Sequence, residues 1–170
     1  MPRSEQGVDT RRYTVIPRTL IFIRRWDHVL LLKGAADKKI WANKYNGIGG
    51  HVERGEDVYS AAARELKEET GLAIADVLDF HLCGTIMVDA EENTGISIFV
   101  FRGEYHENET LIPSAEGALE WAPIDQLGDY PLVEDLYTLL PLVLALKAGM
   151  PPIIGRTYYD ADERMVFEVR

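Results

Sequence analysis

The residues Arg64-Glu65-Leu66-Lys67-Glu68-Glu69 concentrate more chemistry than any other stretch of the chain. On a helix, spacings of one, three and four residues bring Glu65, Glu68 and Glu69 to one side of the cylinder and leave Leu66 to anchor the opposite side. Like charges at such spacings cost roughly 0.2–0.5 kcal/mol per pair, so three neighbouring carboxylates invite a compensating cation. Hard oxygen donors without Cys or His neighbours suit Mg²⁺, or Mn²⁺ in its place, ions that keep waters and bridge to phosphates. The bland reading of the same residues is a solvated helix face screened by Arg64 and Lys67. Just upstream, Asn46-Gly47-Ile48-Gly49-Gly50 packs three glycines into five positions, which lets backbone approach a metal or phosphate closely.

These groups need elements to hold them. A helix is expected over 57–70, with Asp57 as N-cap and Gly71 just past its end. Before it, Thr19–Ile23 and Val29–Leu32 read as a hairpin, and the glycine cluster as a short strand with tight turns. After it, strands are expected over 73–88 with a break near Leu78, at Gly95–Phe101 and at Ala118–Trp121. A second helix follows from Pro131 to Lys147, kinked or divided at Pro141. Arg156–Asp160 and Arg164–Val169 read as a closing hairpin. Strands interleaved with two substantial helices predict an α/β class chain, an α/β/α sandwich around a mixed β-sheet. Residues 1–12 read as a flexible tail and 13–170 as a single domain, since 170 residues suit one domain and no repeat is visible.

Charge narrows the partners. Acidic residues number 28 against 18 basic ones, a formal charge of −10, which opposes binding of a polynucleotide. A small phosphorylated ligand fits such a surface when divalent cations lie between carboxylates and phosphates. The lone cysteine, Cys83, sits in an apolar stretch and reads as a core thiol. No apolar run approaches membrane-spanning length, so the expectation is a cytoplasmic protein off the membrane, monomeric or homodimeric.

Gly50 is followed after five residues by Glu56, and after seven more by Arg64-Glu-Leu-Lys-Glu-Glu-Thr-Gly-Leu72. This resembles the Nudix box, G-x5-E-x7-R-E-U-x-E-E-x-G-U with U a bulky aliphatic residue, at every specified position. The resemblance implies the Nudix fold and Mg²⁺-dependent hydrolysis of a nucleoside diphosphate linked to another moiety. By the same resemblance Glu65, Glu68 and Glu69 ligate the metal together with Gly50, Glu65 orients or deprotonates the attacking water, and Arg64 pairs with Glu56 to brace the site. Glu116, four residues before Glu120-Trp121, falls where the MutT-like branch places a further glutamate, as base or metal ligand.

Beyond the box, Tyr45-Asn46-Gly47-Ile48-Gly49-Gly50 is similar to the MutT-like, oxidised-purine triphosphate branch. There Asn46 reads the base, although it reads equally well as a turn residue, and Gly49 and Gly50 lie beside the substrate. Thr19, Phe22, Lys33 and Asp135 complete the candidate substrate-binding residues; the first three read equally well as strand packing or solvated charge. The stretch Leu132-Val133-Glu134-Asp135-Leu136 lacks the tryptophan found before the second helix in that branch. The expected activity is a nucleoside triphosphate pyrophosphohydrolase releasing a nucleoside monophosphate and pyrophosphate. A nucleotide-sugar or dinucleoside polyphosphate hydrolase shares the box, and a non-catalytic nucleotide sensor shares the fold.

Overall fold

The computed structural model describes residues 2, 5–9, 11–37, 40–107, 111–112, 116–147 and 149–170. Eight strands form one mixed sheet: β1 (Thr14–Arg25), β2 (His28–Gly34), β3 (Tyr45–Asn46), β4 (Leu78–Asp89), β5 (Thr94–Glu104), β6 (Gly117–Pro123), β7 (Ile153–Tyr159) and β8 (Met165–Val169). The order is β3-β2-β1-β5-β4-β7-β8, with β6 also paired to β2. β1 runs parallel to β5 and β4 parallel to β7, while the remaining named pairs are antiparallel.

The two helices cover opposite faces of this sheet. From β1, Ile21 and Ile23 pack with Ala62 and Leu66 of α1 (Val58–Thr70). Leu20 and Phe22 pack with Leu136, Leu139, Leu140 and Val143 of α2 (Leu136–Ala145). Because side chains alternate along a strand, a strand covered on both faces must be apolar at consecutive positions, which explains the unbroken run Leu20–Ile23. The α/β/α expectation is met in this form. Cys83 is buried in the α2 layer, and burial pushes its thiol up to about 11. Arg102 donates to the Val143 and Leu146 carbonyls at the end of α2, where a cation is favoured.

Three sequence expectations are corrected. Residues 74–76 form a 3-10 turn rather than strand, closed by Asp76 N–H to Ala73 O and Val77 N–H to Ile74 O, so β4 starts only at Leu78. The second helix starts at Leu136, not Pro131, because the backbone at Pro131 and Val133 is taken by Tyr45: Tyr45 N–H donates to Pro131 O and Val133 N–H to Tyr45 O. α2 also runs undivided through Pro141. No helix among the described residues is long and apolar enough to cross a membrane.

The site depends on a split in the sheet. β1 and β2 pair only at Arg24–Val29 and Arg25–His28. β6 occupies one edge of β2 along its whole length, so the other edge is shared by β1 at its start and β3 at its end. Into the opening beside β1 falls the glycine loop, bridged by Ile21 to Ile48 and by Arg18 to His51.

Candidate active site

α1 begins where Asp57 Oδ1 accepts the N–H groups of Tyr59 and Ser60, both at 2.9 Å, and these bonds hold the Asp57 carboxyl below the usual carboxylate range. It ends at Gly71, φ 80°, whose N–H returns to Lys67 O. That left-handed turn is one a side chain would strain. Leu66 is fully buried, so the other side of the helix presents Glu65, Glu68 and Glu69.

Arg64 organises the carboxylates. Its Nε and Nη2 donate to the two oxygens of Glu56 at 2.8 and 3.0 Å, Nη1 donates to Glu65 at 2.8 Å and Glu68 at 3.1 Å, and Nη2 also reaches His51 O at 3.0 Å. The fork geometry of a guanidinium makes this clamp one that lysine could not reproduce. Hydrogen bonding from Arg64 holds Glu56 below the ordinary glutamate value, while Glu56 and then Glu65 raise the guanidinium further. Glu56 also accepts the Glu53 N–H, tying the loop to the helix.

The glycine loop supplies the opposite side. Thr19 N–H donates to Gly50 O at 2.8 Å, and Gly49 N–H donates to Glu69 Oε2 at 3.0 Å. Glu69 is only 5% exposed, and a buried carboxylate needs such donors. At Gly49, φ 143°, a Cβ would lie 2.2 Å from Thr19 O. At Gly50 it would lie 2.5 Å from Glu65 Oε1. Both positions are therefore glycine for reasons of contact with the site itself.

Helix and loop form one end of a cleft of about 780 Å³. It is lined by Thr19, Asn46, Gly49 and Gly50, by Glu65, Glu68 and Glu69, and by Glu116 and Asp135, so most of the predicted residues are brought together. Arg64 stands behind the carboxylates it orients. Phe22 and Lys33 are not part of the lining. Phe22 is 1% exposed and packs behind Gly47, and Lys33 Nζ lies 5.5 Å from the Tyr45 ring centroid. Asn46 is the last residue of β3, paired with Leu32, rather than a turn residue, and its Oδ1 accepts the Gly47 N–H at 2.8 Å, which fixes its amide at the cleft. Asp135 precedes α2, and burial raises its carboxyl above the ordinary aspartate value.

Sequence reasoning missed part of the lining. Arg18, Lys44 and His51 add basic groups, with Arg18 Nε 3.2 Å from His51 Nε2; their signal was adjacency to the glycine loop. Val88, Ile96 and Ile98 floor the far end, joined there by Thr157 and Tyr159 of the closing hairpin. No local pattern distinguishes these from ordinary strand residues. Also missed was the support behind Asn46: Glu120 accepts hydrogen bonds from Tyr45 Oη and, at 2.8 Å, from Tyr130 Oη. Burial first, then Glu120, pushes the Tyr45 phenol up to about 12.

The donor set fits a hard divalent cation: three glutamates on one helix side with no sulfur or imidazole, beside backbone held within a Cβ's reach of Glu65. Among the described residues no three acidic, His or Cys side chains are already gathered as ligands, since Arg64 holds Glu65 and Glu68.

The NUDIX domain model matches residues 15–143. An oxidized purine nucleoside triphosphate hydrolase of Danio rerio is 34% identical over 130 residues, 76% of this chain and 80% of the relative. Its namesake from Mus musculus is 33% identical over 132 residues, with the same coverage of each chain. The crystal structure of a mutator MutT protein from Bacillus halodurans superposes with TM-score 0.74 at 25% identity, covering 91% of this chain and 97% of that one. With its glutamate helix, glycine loop and mixed sheet thus matched, the chain belongs to the NUDIX domain family.

Proposed function

We propose that this protein is a Mg²⁺-dependent nucleoside triphosphate pyrophosphohydrolase acting on oxidised purine nucleotides, releasing the monophosphate and pyrophosphate. The observation that carries the reading is the joining, in one cleft, of the Arg64-clamped glutamates to a second end where Asn46 and Asp135 face an apolar floor. The names of the relatives from Danio rerio and Mus musculus support the substrate class. Glu65, Glu68 and Glu69 would hold the cation, with Gly50 O and Glu116 as further oxygen donors; Mn²⁺ would serve in its place. When bound, the ion neutralises charge on phosphate oxygens and makes water more acidic.

The chain's own groups do the rest. Glu65, oriented by Arg64 Nη1, accepts the proton of the water that attacks phosphorus. Arg18 and Lys44 offset phosphate charge that the acidic helix would otherwise repel. Asn46 offers an amide, and Asp135, its carboxyl raised above the ordinary aspartate value by burial, offers its carboxyl group to a purine edge. The proposed setting is cytoplasmic, as a monomer or homodimer working on free nucleotides.

The test is hydrolysis of canonical and oxidised purine dNTPs, ADP-ribose, UDP-sugars and dinucleoside polyphosphates, with and without Mg²⁺, products being separated chromatographically. Monophosphate and pyrophosphate from an oxidised purine triphosphate, abolished by EDTA and restored by Mg²⁺, is the expected result. Turnover confined to sugar or dinucleoside substrates would overturn it.

A further inference from the structure

Thr157 is 3% exposed, its Oγ1 is buried with no hydrogen-bond partner, and it lines the cleft. A buried hydroxyl without a partner is a cost to the fold, and each such group calls for a physical account. The strand registers fix its place. Ile16 pairs with Ile96, Ile96 with Val88, and Val88 with Thr157, so the four residues form one row across β1, β5, β4 and β7. Three strand spacings of roughly 4.8 Å put Thr157 about 14 Å from β1, the strand against which the glycine loop and its carboxylates sit. That is the reach of an extended nucleotide from its phosphates to the far side of its base. Along this row the side chains between β1 and Thr157 are the apolar Ile96 and Val88, both of which line the cleft. Thr157 also lies outside residues 15–143, so it comes from a hairpin that the family model does not cover.

We propose that Thr157 is a specificity-determining residue whose hydroxyl hydrogen-bonds a polar atom on the edge of the nucleobase farthest from the phosphates. This rests on the nucleotide reading above and deepens it. A threonine hydroxyl both donates and accepts, so it serves an N–H or a carbonyl on that edge, and a base bearing neither leaves it stranded.

Two variants test the assignment. Thr157→Val keeps the shape and removes the hydroxyl; Thr157→Ser keeps the hydroxyl. KM and kcat are measured on purine triphosphates, affinity for purine monophosphates by calorimetry without metal, and the melting midpoint without ligand. For Thr157→Val the expectation is a KM raised, and a monophosphate affinity lowered, about tenfold, with kcat little changed and the midpoint equal or higher. Thr157→Ser should stay close to wild type. A folded Thr157→Val with unchanged KM and affinity overturns the role of Thr157 and leaves the nucleotide reading standing. A fall in kcat together with a lowered midpoint also overturns it, as the mark of a structural role. A wild-type protein that neither hydrolyses triphosphates nor binds monophosphates overturns both.

Discussion

The two ends of the cleft are built in different ways. At the acidic end, Gly50, Glu56, Arg64, Glu65, Glu68 and Glu69 fall within twenty consecutive positions, and hydrogen bonds among them fix their orientation. At the apolar end, Val88, Ile96 and Thr157 come from three separate strands and meet through sheet pairing, and Asp135 joins them from the residue before α2. Polar machinery that must be placed to fractions of an ångström is held by short-range contacts, whereas the surface that selects a ligand is a patch of sheet whose composition can change strand by strand. Damage to the first should therefore appear in turnover, and damage to the second in KM and selectivity.

The sharpest test of that contrast is Glu65→Gln, which keeps shape and removes the proposed base; kcat should fall roughly 10²–10⁴-fold with KM little altered, measured by steady-state kinetics. Next is Gly50→Ala, whose new Cβ would collide with the Glu65 carboxylate. Displacing that group should cost about 10²-fold in kcat, again without a matching rise in KM. If either change acted mainly on KM, the division between the ends would fail.

At the other end, Asp135→Asn should change KM by about tenfold and shift the preference between canonical and oxidised bases, with kcat nearly intact. Its effect on stability depends on pH in a defined direction. The Asp135 carboxyl is raised in the fold because burial disfavours its ionised form. The native state is therefore best served below the ordinary aspartate value of 3.8 and loses that advantage as pH rises through the higher folded value. Asp135→Asn should raise the melting midpoint at pH 7 and lose this gain in acid. A variant no more stable than wild type at neutral pH would refute it.

The smallest catalytic effect is expected behind the wall. Glu120→Ala leaves the Tyr45 and Tyr130 hydroxyls without their acceptor. Chemical denaturation should show a loss of about 1–3 kcal/mol, with kcat on a saturating substrate largely preserved. A large fall in kcat would show that the two ends are coupled through Tyr45.

The acidic end was legible because its information is local. The 3.6-residue period alone groups Glu65, Glu68 and Glu69, and Asp57 and Gly71 mark the helix ends that the structure has. Phe22 illustrates the opposite case. Its place on β1 put it beside Thr19 in the sequence, yet the pleat turned it under Gly47 and into the core. Likewise Pro131–Val133 sits in an apolar stretch that reads as helix until Tyr45, some ninety residues earlier, takes its backbone hydrogen bonds.

By itself, then, the sequence determined the glutamate helix, its caps and the fold class, since each depends on residues within a few turns of one another or on simple alternation, while the Arg64 clamp was legible through the resemblance of its motif. Tertiary structure alone decided which strands floor the cleft, that β1 and β2 part to admit the glycine loop, and that Thr157 and Asp135 face the same space as Asn46. The physical reason is that helical neighbours are fixed by chain geometry, while strand neighbours are fixed by register between distant segments, which no local pattern encodes.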